Sequence, residues 1–83
     1  MSGRPGFVAQ PVWELARYDG RLVAGEREYR GKRFFELRLW AGEQGNTPTH
    51  KGVTVPLEHV RDLADALLSY ADAREQAALS DRA

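Results

Sequence analysis

The feature that most constrains this fold is a pair of apolar and aromatic segments joined by one tight turn. The segments lie within residues 21 to 40, and the turn falls at Arg30-Gly31, where glycine supplies the backbone freedom that a turn needs. A two-residue loop at this point places Tyr29 opposite Lys32. The sequence therefore predicts a β-hairpin whose register is set by its turn.

Side chains alternate along the predicted strands, so the hairpin has two different faces. The apolar face carries Leu22, Ala24, Phe35, Leu37 and Leu39. The charged face carries Arg21, Val23, Arg27, Tyr29, Lys32, Phe34, Glu36, Arg38 and Trp40. A slip of one residue would exchange the faces, and the clean apolar alternation in the second strand opposes it. Near the tip, Glu28 and Arg33 form a predicted cross-strand charge pair.

The charged face interleaves cations with aromatic rings, which suits a single-stranded nucleic acid. Phosphates would contact the cations and exposed bases would stack on the rings. The same composition occurs on soluble strand faces that bind nothing, because Arg, Lys and Tyr favour such positions. It also fits a protein-interaction module, since Arg, Tyr and Trp dominate protein hot spots. The residues alone leave these alternatives open.

The size of the chain limits its architecture and its chemistry. Its 83 residues suffice for one small domain, and a chain this short without cysteine has a thin core, so we expect a dimer. Metal-ligand clusters and activated nucleophiles are missing from the pattern, which predicts no enzyme, no metal and no cofactor. No signal peptide or membrane span is apparent, so we expect a soluble, cytoplasmic protein.

Charge is distributed unevenly along the chain, although the formal net charge is zero. Seven basic and four acidic residues between Arg21 and Lys51 leave a charge of plus three. Three basic and six acidic residues from Pro56 to Ala83 leave minus three. Because binding depends on the local patch more than on the total, the central segment stays a candidate for nucleic-acid contact.

The remaining elements are predicted around this hairpin. Residues 1 to 11 form a flexible segment, in which Phe7 and Val8 are the residues that can dock on the domain. A first strand over residues 12 to 18 carries Trp13, which packs in the core or at an interface. A loop covers residues 41 to 50, and a fourth strand covers residues 51 to 55, where Gly52 allows a ligand or another backbone to come close.

A helix is predicted to open at Pro56, a residue favoured at the first helical position. Its apolar stripe packs in the core or at a dimer interface. The stripe consists of Leu57, Val60, Leu63, Ala64, Leu67 and Ala71, with Leu68 at its edge. Beyond residue 72, the tail over residues 73 to 83 has little to pack against and is expected to fray.

Three motifs and the helix occur in an order that resembles the positive cofactor four family of transcriptional coactivators, including its small bacterial members. The motifs are YRGK at residues 29 to 32, FELRLW at residues 35 to 40 and KGVTV at residues 51 to 55, followed by the helix from Leu57 to Leu68. The resemblance covers about residues 12 to 72.

The resemblance implies an α+β fold, with a curved four-stranded antiparallel sheet followed by one amphipathic C-terminal helix. It implies a homodimer with helices at the subunit interface, and binding of single-stranded DNA with little sequence preference. Transcription machinery would be a further partner, and a bacterial member would associate with the nucleoid. The ligand-contacting positions by resemblance are Tyr29, Arg30, Lys32, Arg38, Trp40 and Lys51.

Both lines of reasoning lead to one hypothesis, a homodimeric single-strand-binding protein. Phosphates are bound by Arg21, Arg27, Arg30, Lys32, Arg38 and Lys51. Bases stack on Tyr29, Phe34 and Trp40. RNA is an alternative ligand, because stacking and phosphate contacts do not select the sugar.

Overall fold

The computed structural model describes residues 6 to 81, which form one antiparallel sheet and one long helix. The strands are β1 (Trp13–Arg17), β2 (Gly20–Tyr29), β3 (Lys32–Ala41) and β4 (Thr47–Pro56). A short 3-10 turn, Leu57–His59, leads into helix α1, Val60–Asp81. The predicted α+β class, four antiparallel strands followed by one C-terminal helix, is confirmed.

The strands pair in chain order as an antiparallel meander, β1-β2-β3-β4. Tyr29 lies opposite Lys32, and the pairing of β2 with β3 continues residue by residue from there, so the predicted hairpin register is confirmed. At the turn, Arg30 and Gly31 have φ values of 53° and 80°. Positive φ at both central residues matches the right-handed twist of the strands on either side.

Strand β4 begins earlier than the sequence predicted. The expected loop over residues 41 to 50 is reduced to residues 42 to 46. The Thr49 hydroxyl donates a hydrogen bond to the Leu39 carbonyl at 2.7 Å, which attaches the start of β4 to the sheet. Pro48 is compatible with this strand because β4 lies at the sheet edge, where a missing N–H costs little.

Helix α1 begins later than predicted. Pro56 has φ −56° and ψ 143°, an extended conformation, and it ends β4 instead of opening the helix. The helix then continues to Asp81, so residues 73 to 81 of the predicted fraying tail are helical. The last two residues lie outside the described part of the chain. Across residues 6 to 81, no helix combines the length and apolar character needed to cross a membrane.

The apolar face of the sheet is turned towards helix α1 but is not filled by it. A groove of about 500 Å³ with almost entirely apolar walls separates them, and Trp13 and Val53 on the sheet face Leu63 and Leu67 on the helix. Trp13 is 48% exposed, Val53 61% and Leu67 58%. A single chain therefore leaves much of its own apolar face open.

An N-terminal segment, residues 6 to 12, runs beside β2 ahead of β1. Three backbone hydrogen bonds attach it, with lengths of 2.8 to 3.0 Å: Val12 to Ala24, Val8 to Glu26, and Glu28 to Gly6. The sequence predicted a flexible segment over residues 1 to 11. Residues 1 to 5 of it lie outside the described part, and the remainder is hydrogen-bonded to the sheet.

Candidate nucleic-acid interface

The register of β2 and β3 puts the predicted members of the charged face on one side of the sheet. Their exposure changes along the strands: Trp40 is fully buried and Glu36 is 2% exposed, whereas Tyr29 is 64% exposed. We call the buried Glu36 and Trp40, with the half-buried Arg27 and Arg38, the buried centre. We call the exposed residues Tyr29 and Lys32, with the turn residue Arg30 and the half-buried Phe34, the exposed tip.

In the buried centre, the Glu36 carboxylate binds two arginines. Arg27 Nη1 and Arg38 Nε each donate a hydrogen bond to Glu36 Oε2 at 2.8 Å. Arg38 Nη1 also donates to the Thr49 carbonyl. The Arg38 side chain lies over Gly52, where a Cβ would come within 2.8 Å of the guanidinium carbon. Gly52 therefore makes room for the Arg38 side chain. The sequence analysis had predicted that a ligand or another backbone would come close at this glycine.

The charge state of Glu36 follows from these contacts. Burial raises the pKa of Glu36, but hydrogen bonds from Arg38 and Arg27, with their positive charges, outweigh it, so the pKa lies below its ordinary value. The carboxylate is ionised at neutral pH and neutralises one of its two cationic partners. Arg27 and Arg38, both predicted phosphate ligands, are thus already engaged with a carboxylate inside the protein.

Phe7 of the N-terminal segment covers the buried centre. Its ring centroid lies 5.9 Å from that of Trp40. The Arg27 guanidinium carbon lies 5.5 Å from the Phe7 centroid and 5.6 Å from the Trp40 centroid, a cation–π contact with both rings. Gly25 provides space for Phe7, because a Cβ there would lie 2.9 Å from its ring. Trp40, predicted to stack on bases, is packed against protein groups in this structure.

The exposed tip presents its groups to solvent. The Arg30 guanidinium carbon lies 5.1 Å from the Tyr29 ring centroid, and Lys32 is exposed beside them. Within residues 6 to 81, no carboxylate pairs with Arg30 or Lys32. Arg33, on the opposite face, differs: its Nε lies 3.7 Å from Glu28, which confirms the predicted cross-strand pair.

A groove of about 470 Å³ adjoins the exposed tip. Its walls are formed by Lys32, Arg33, Phe34, Thr54, Pro56, Leu57 and Glu58. Phe34 is half-buried there, opposite Pro56 of β4. Leu57, predicted at the dimer interface, lines this groove and not the apolar one between sheet and helix. A cation, Lys32, and an aromatic ring, Phe34, thus lie beside an open space, which the Glu58 carboxylate and Arg33 also line.

Two predicted phosphate ligands lie away from the tip. Arg21 is at the other end of β2, where its Nε lies 2.9 Å from Glu14 Oε1. Lys51 is exposed on β4, where the strand pairing is irregular opposite β3 residues 38 to 40. The structure does not bring either residue together with Arg30 and Lys32.

The helical residues predicted at a dimer interface also separate into groups. Leu63 and Leu67 line the apolar groove together with Trp13. Val60 and Ala64 are half-buried, and Leu68 and Ala71 are exposed. The predicted interface thus consists of a groove-lining part and an exposed part further along the helix.

Sequence reasoning allowed Phe7 to dock but named no partner for it, placed Glu36 on the charged face without a role, and assigned no role to Gly25. Gly25 carried a usable signal, because a glycine inside a strand often marks the close approach of another group. The spacing of Glu36 and Arg38 was also a usable signal for an ion pair, since residues two apart on a strand share a face. Phe7 carried none, because nothing local shows which part of the sheet an N-terminal aromatic residue will contact.

We compared the chain with known protein families, with curated proteins and with solved structures, and none of the three comparisons finds a match.

Proposed function

We propose that this chain forms a homodimer that binds single-stranded nucleic acid, principally single-stranded DNA, with little sequence preference. The observation that carries the proposal is the exposed tip, where the Arg30 guanidinium lies over the Tyr29 ring and Lys32 lies opposite Tyr29 in the sheet. Neither cation pairs with a carboxylate among residues 6 to 81. The motifs that resemble the positive cofactor four family include this tip. They extend the proposal to a transcription-associated role in the cytoplasm or on the nucleoid.

The chemistry of the exposed tip favours a single strand over a duplex. Tyr29 offers a ring on which an unpaired base can stack, worth about 1 to 3 kcal/mol per base. Arg30 and Lys32 lie where the phosphates on either side of that base would pass, and neither has to leave a carboxylate first. A duplex keeps its bases stacked on one another, so it gains only the phosphate contacts.

The open apolar groove supports the homodimer. Burial of one leucine side chain contributes about 1.5 to 3 kcal/mol, and Leu67 and Val53 are both more than half exposed in the single chain. A second copy would cover the same residues on both subunits, because a two-fold interface uses one patch twice. It would also place two exposed tips on one particle, and linked binding sites raise the overall affinity.

The test is a fluorescence-anisotropy titration of a labelled single strand of about 20 nucleotides at several salt concentrations, with wild type and Arg30→Ala/Lys32→Ala. Each lost phosphate contact lowers the slope of log affinity against log salt by about 0.7 for single strands. We therefore expect the double variant to bind more weakly, with a slope shallower by about 1.4. Matching duplex should bind more weakly than the single strand.

Arg33→Ala is the matched control. It removes one cation from the same hairpin, at the edge of the same groove, but two glutamates already pair with the Arg33 guanidinium. Its affinity and salt slope should stay close to those of wild type. Equal losses in Arg33→Ala and in the double variant would contradict a binding site at the exposed tip. A single strand of RNA in the same titration decides between the two sugars.

A further inference from the structure

We infer that the N-terminal segment is an internal competitor of the nucleic acid, with Phe7 occupying the place over Trp40 and Arg27 where a base would stack. This inference rests on the proposed function and adds regulation to it. In the closed arrangement only the exposed tip contacts a strand. Displacement of Phe7 opens the buried centre and extends the binding path along β2 and β3.

Phe7 touches the two groups that a base would use. Its ring packs against Trp40 at 5.9 Å between centroids with the planes tilted by 40°, and the Arg27 guanidinium lies 5.5 Å from its centroid. Nucleobases bind single-strand proteins by stacking on aromatic rings and by cation–π contacts with arginine, so a base in place of Phe7 would use Trp40 and Arg27. The fit of Phe7 over Gly25 shows that the face has room for a flat ring at this point.

The attachment of the segment is weak enough to be reversed. Residues 6 to 12 are bound to β2 by three backbone hydrogen bonds, and Val8 beside Phe7 is 40% exposed. Each such bond exchanges with water on release, so its net contribution is small. By contrast, Trp40 and Glu36 belong to β3, which is paired on both sides within the sheet. Residues 6 to 12 can therefore detach from β2 while β3 keeps its place in the sheet.

The first test removes the ring. Phe7→Ala should bind a 20-nucleotide single strand at least roughly fivefold more tightly than wild type, the equivalent of one weak base stack. Val8→Ala is the control, because it changes the same segment at a side chain that alternation places on the other face. Its affinity should match that of wild type. Circular dichroism and thermal unfolding establish that both variants are folded.

The second test attaches the N-terminal segment to β2 through a reversible disulfide. This is practical because the chain contains no cysteine of its own. Phe7 and Arg27 form an antiparallel bridge, which places the next residue, Val8, opposite Glu26, and the Val8 N–H donates to the Glu26 carbonyl at 3.0 Å. Directly opposed residues of antiparallel strands have Cα atoms about 5.5 Å apart or less, within reach of a disulfide. Val8→Cys/Glu26→Cys should bind the strand more weakly when oxidised than when reduced.

The outcomes separate this inference from the proposed function. Tighter binding by Phe7→Ala together with weaker binding by the oxidised double cysteine variant supports the competitor. Equal binding by wild type, Phe7→Ala and both redox forms, with the loss in Arg30→Ala/Lys32→Ala retained, overturns the competitor and leaves the exposed tip as the site. No binding by any of these proteins at low salt overturns both.

Discussion

The two faces of the sheet differ in solvent exposure, and the difference is the reverse of what their composition suggests. The charged face contains the most deeply buried side chains, Val23 and Trp40 with no exposure and Glu36 with 2%. The apolar face is buried at Ala24 and Leu39 but open elsewhere, with Trp13 48% exposed and Val53 61%. Glu36 is buried because two arginines donate hydrogen bonds to it, and Trp40 is packed against Phe7 and Arg27. Apolar groups are exposed on the other side because one chain does not supply enough surface to cover them.

This difference shows that composition identifies which residues share a face but does not determine which face is covered. An ionised carboxylate tolerates burial when its partners donate hydrogen bonds to it, as Arg27 and Arg38 do for Glu36. An apolar face left open keeps a favourable free energy of burial, which the proposed dimer would realise. The following predictions test each side of the comparison.

The largest effect should come from a charge in the apolar groove. Leu67→Asp would bury two carboxylates per proposed dimer and remove two leucine contacts of about 1.5 kcal/mol or more each. The dissociation constant of the dimer should therefore rise at least roughly 100-fold. Sedimentation equilibrium measures it. Leu79→Asp is the matched control, an exposed leucine of the same helix outside the groove. A wild-type protein that is monomeric at high concentration would refute the proposed dimer.

The next effect concerns the buried centre. Glu36→Gln removes the charge that compensates Arg27 and Arg38, and breaking a buried charge pair in this way destabilises by about 3 kcal/mol. Urea unfolding measures the loss. Glu14→Gln alters an ion pair with Arg21 that is about one-third exposed, and its cost should stay within about 1 kcal/mol. Similar losses in the two variants would mean that the centre is as well solvated as the exposed pair.

The smallest effect is the pH dependence of the same group. The pKa of Glu36 is lowered by folding, so its ionisation stabilises the protein fully above the ordinary carboxyl value of 4.5. That stabilisation is lost as the pH falls from there through the lower pKa of the folded state. The difference in free energy of unfolding between wild type and Glu36→Gln should therefore shrink in urea titrations from pH 6 towards about pH 3. A difference that is constant over this range would exclude a lowered pKa.

Much of the fold could be predicted from local patterns. The turn at Arg30-Gly31 and the alternation around it specified the β2–β3 register, and proline, glycine and apolar spacing specified four strands and a helix. The predicted element boundaries were wrong at the start of β4 and at Pro56. There, the Thr49 hydrogen bond to Leu39 and the pairing of Pro56 with Phe34 extend the strand past residues whose local preferences favour a loop or a helix start.

The candidate site, too, could be predicted from the sequence only in part. The sequence by itself determined that Tyr29, Lys32, Arg38 and Trp40 share a face, because side-chain alternation is a local property of the strand. Only the tertiary structure decided that Trp40 is buried while Tyr29 is exposed. That outcome depends on Phe7, which is 33 residues before Trp40 in the chain and reaches it across the space above Gly25. Burial arises from contacts between distant segments, and no local pattern contains them.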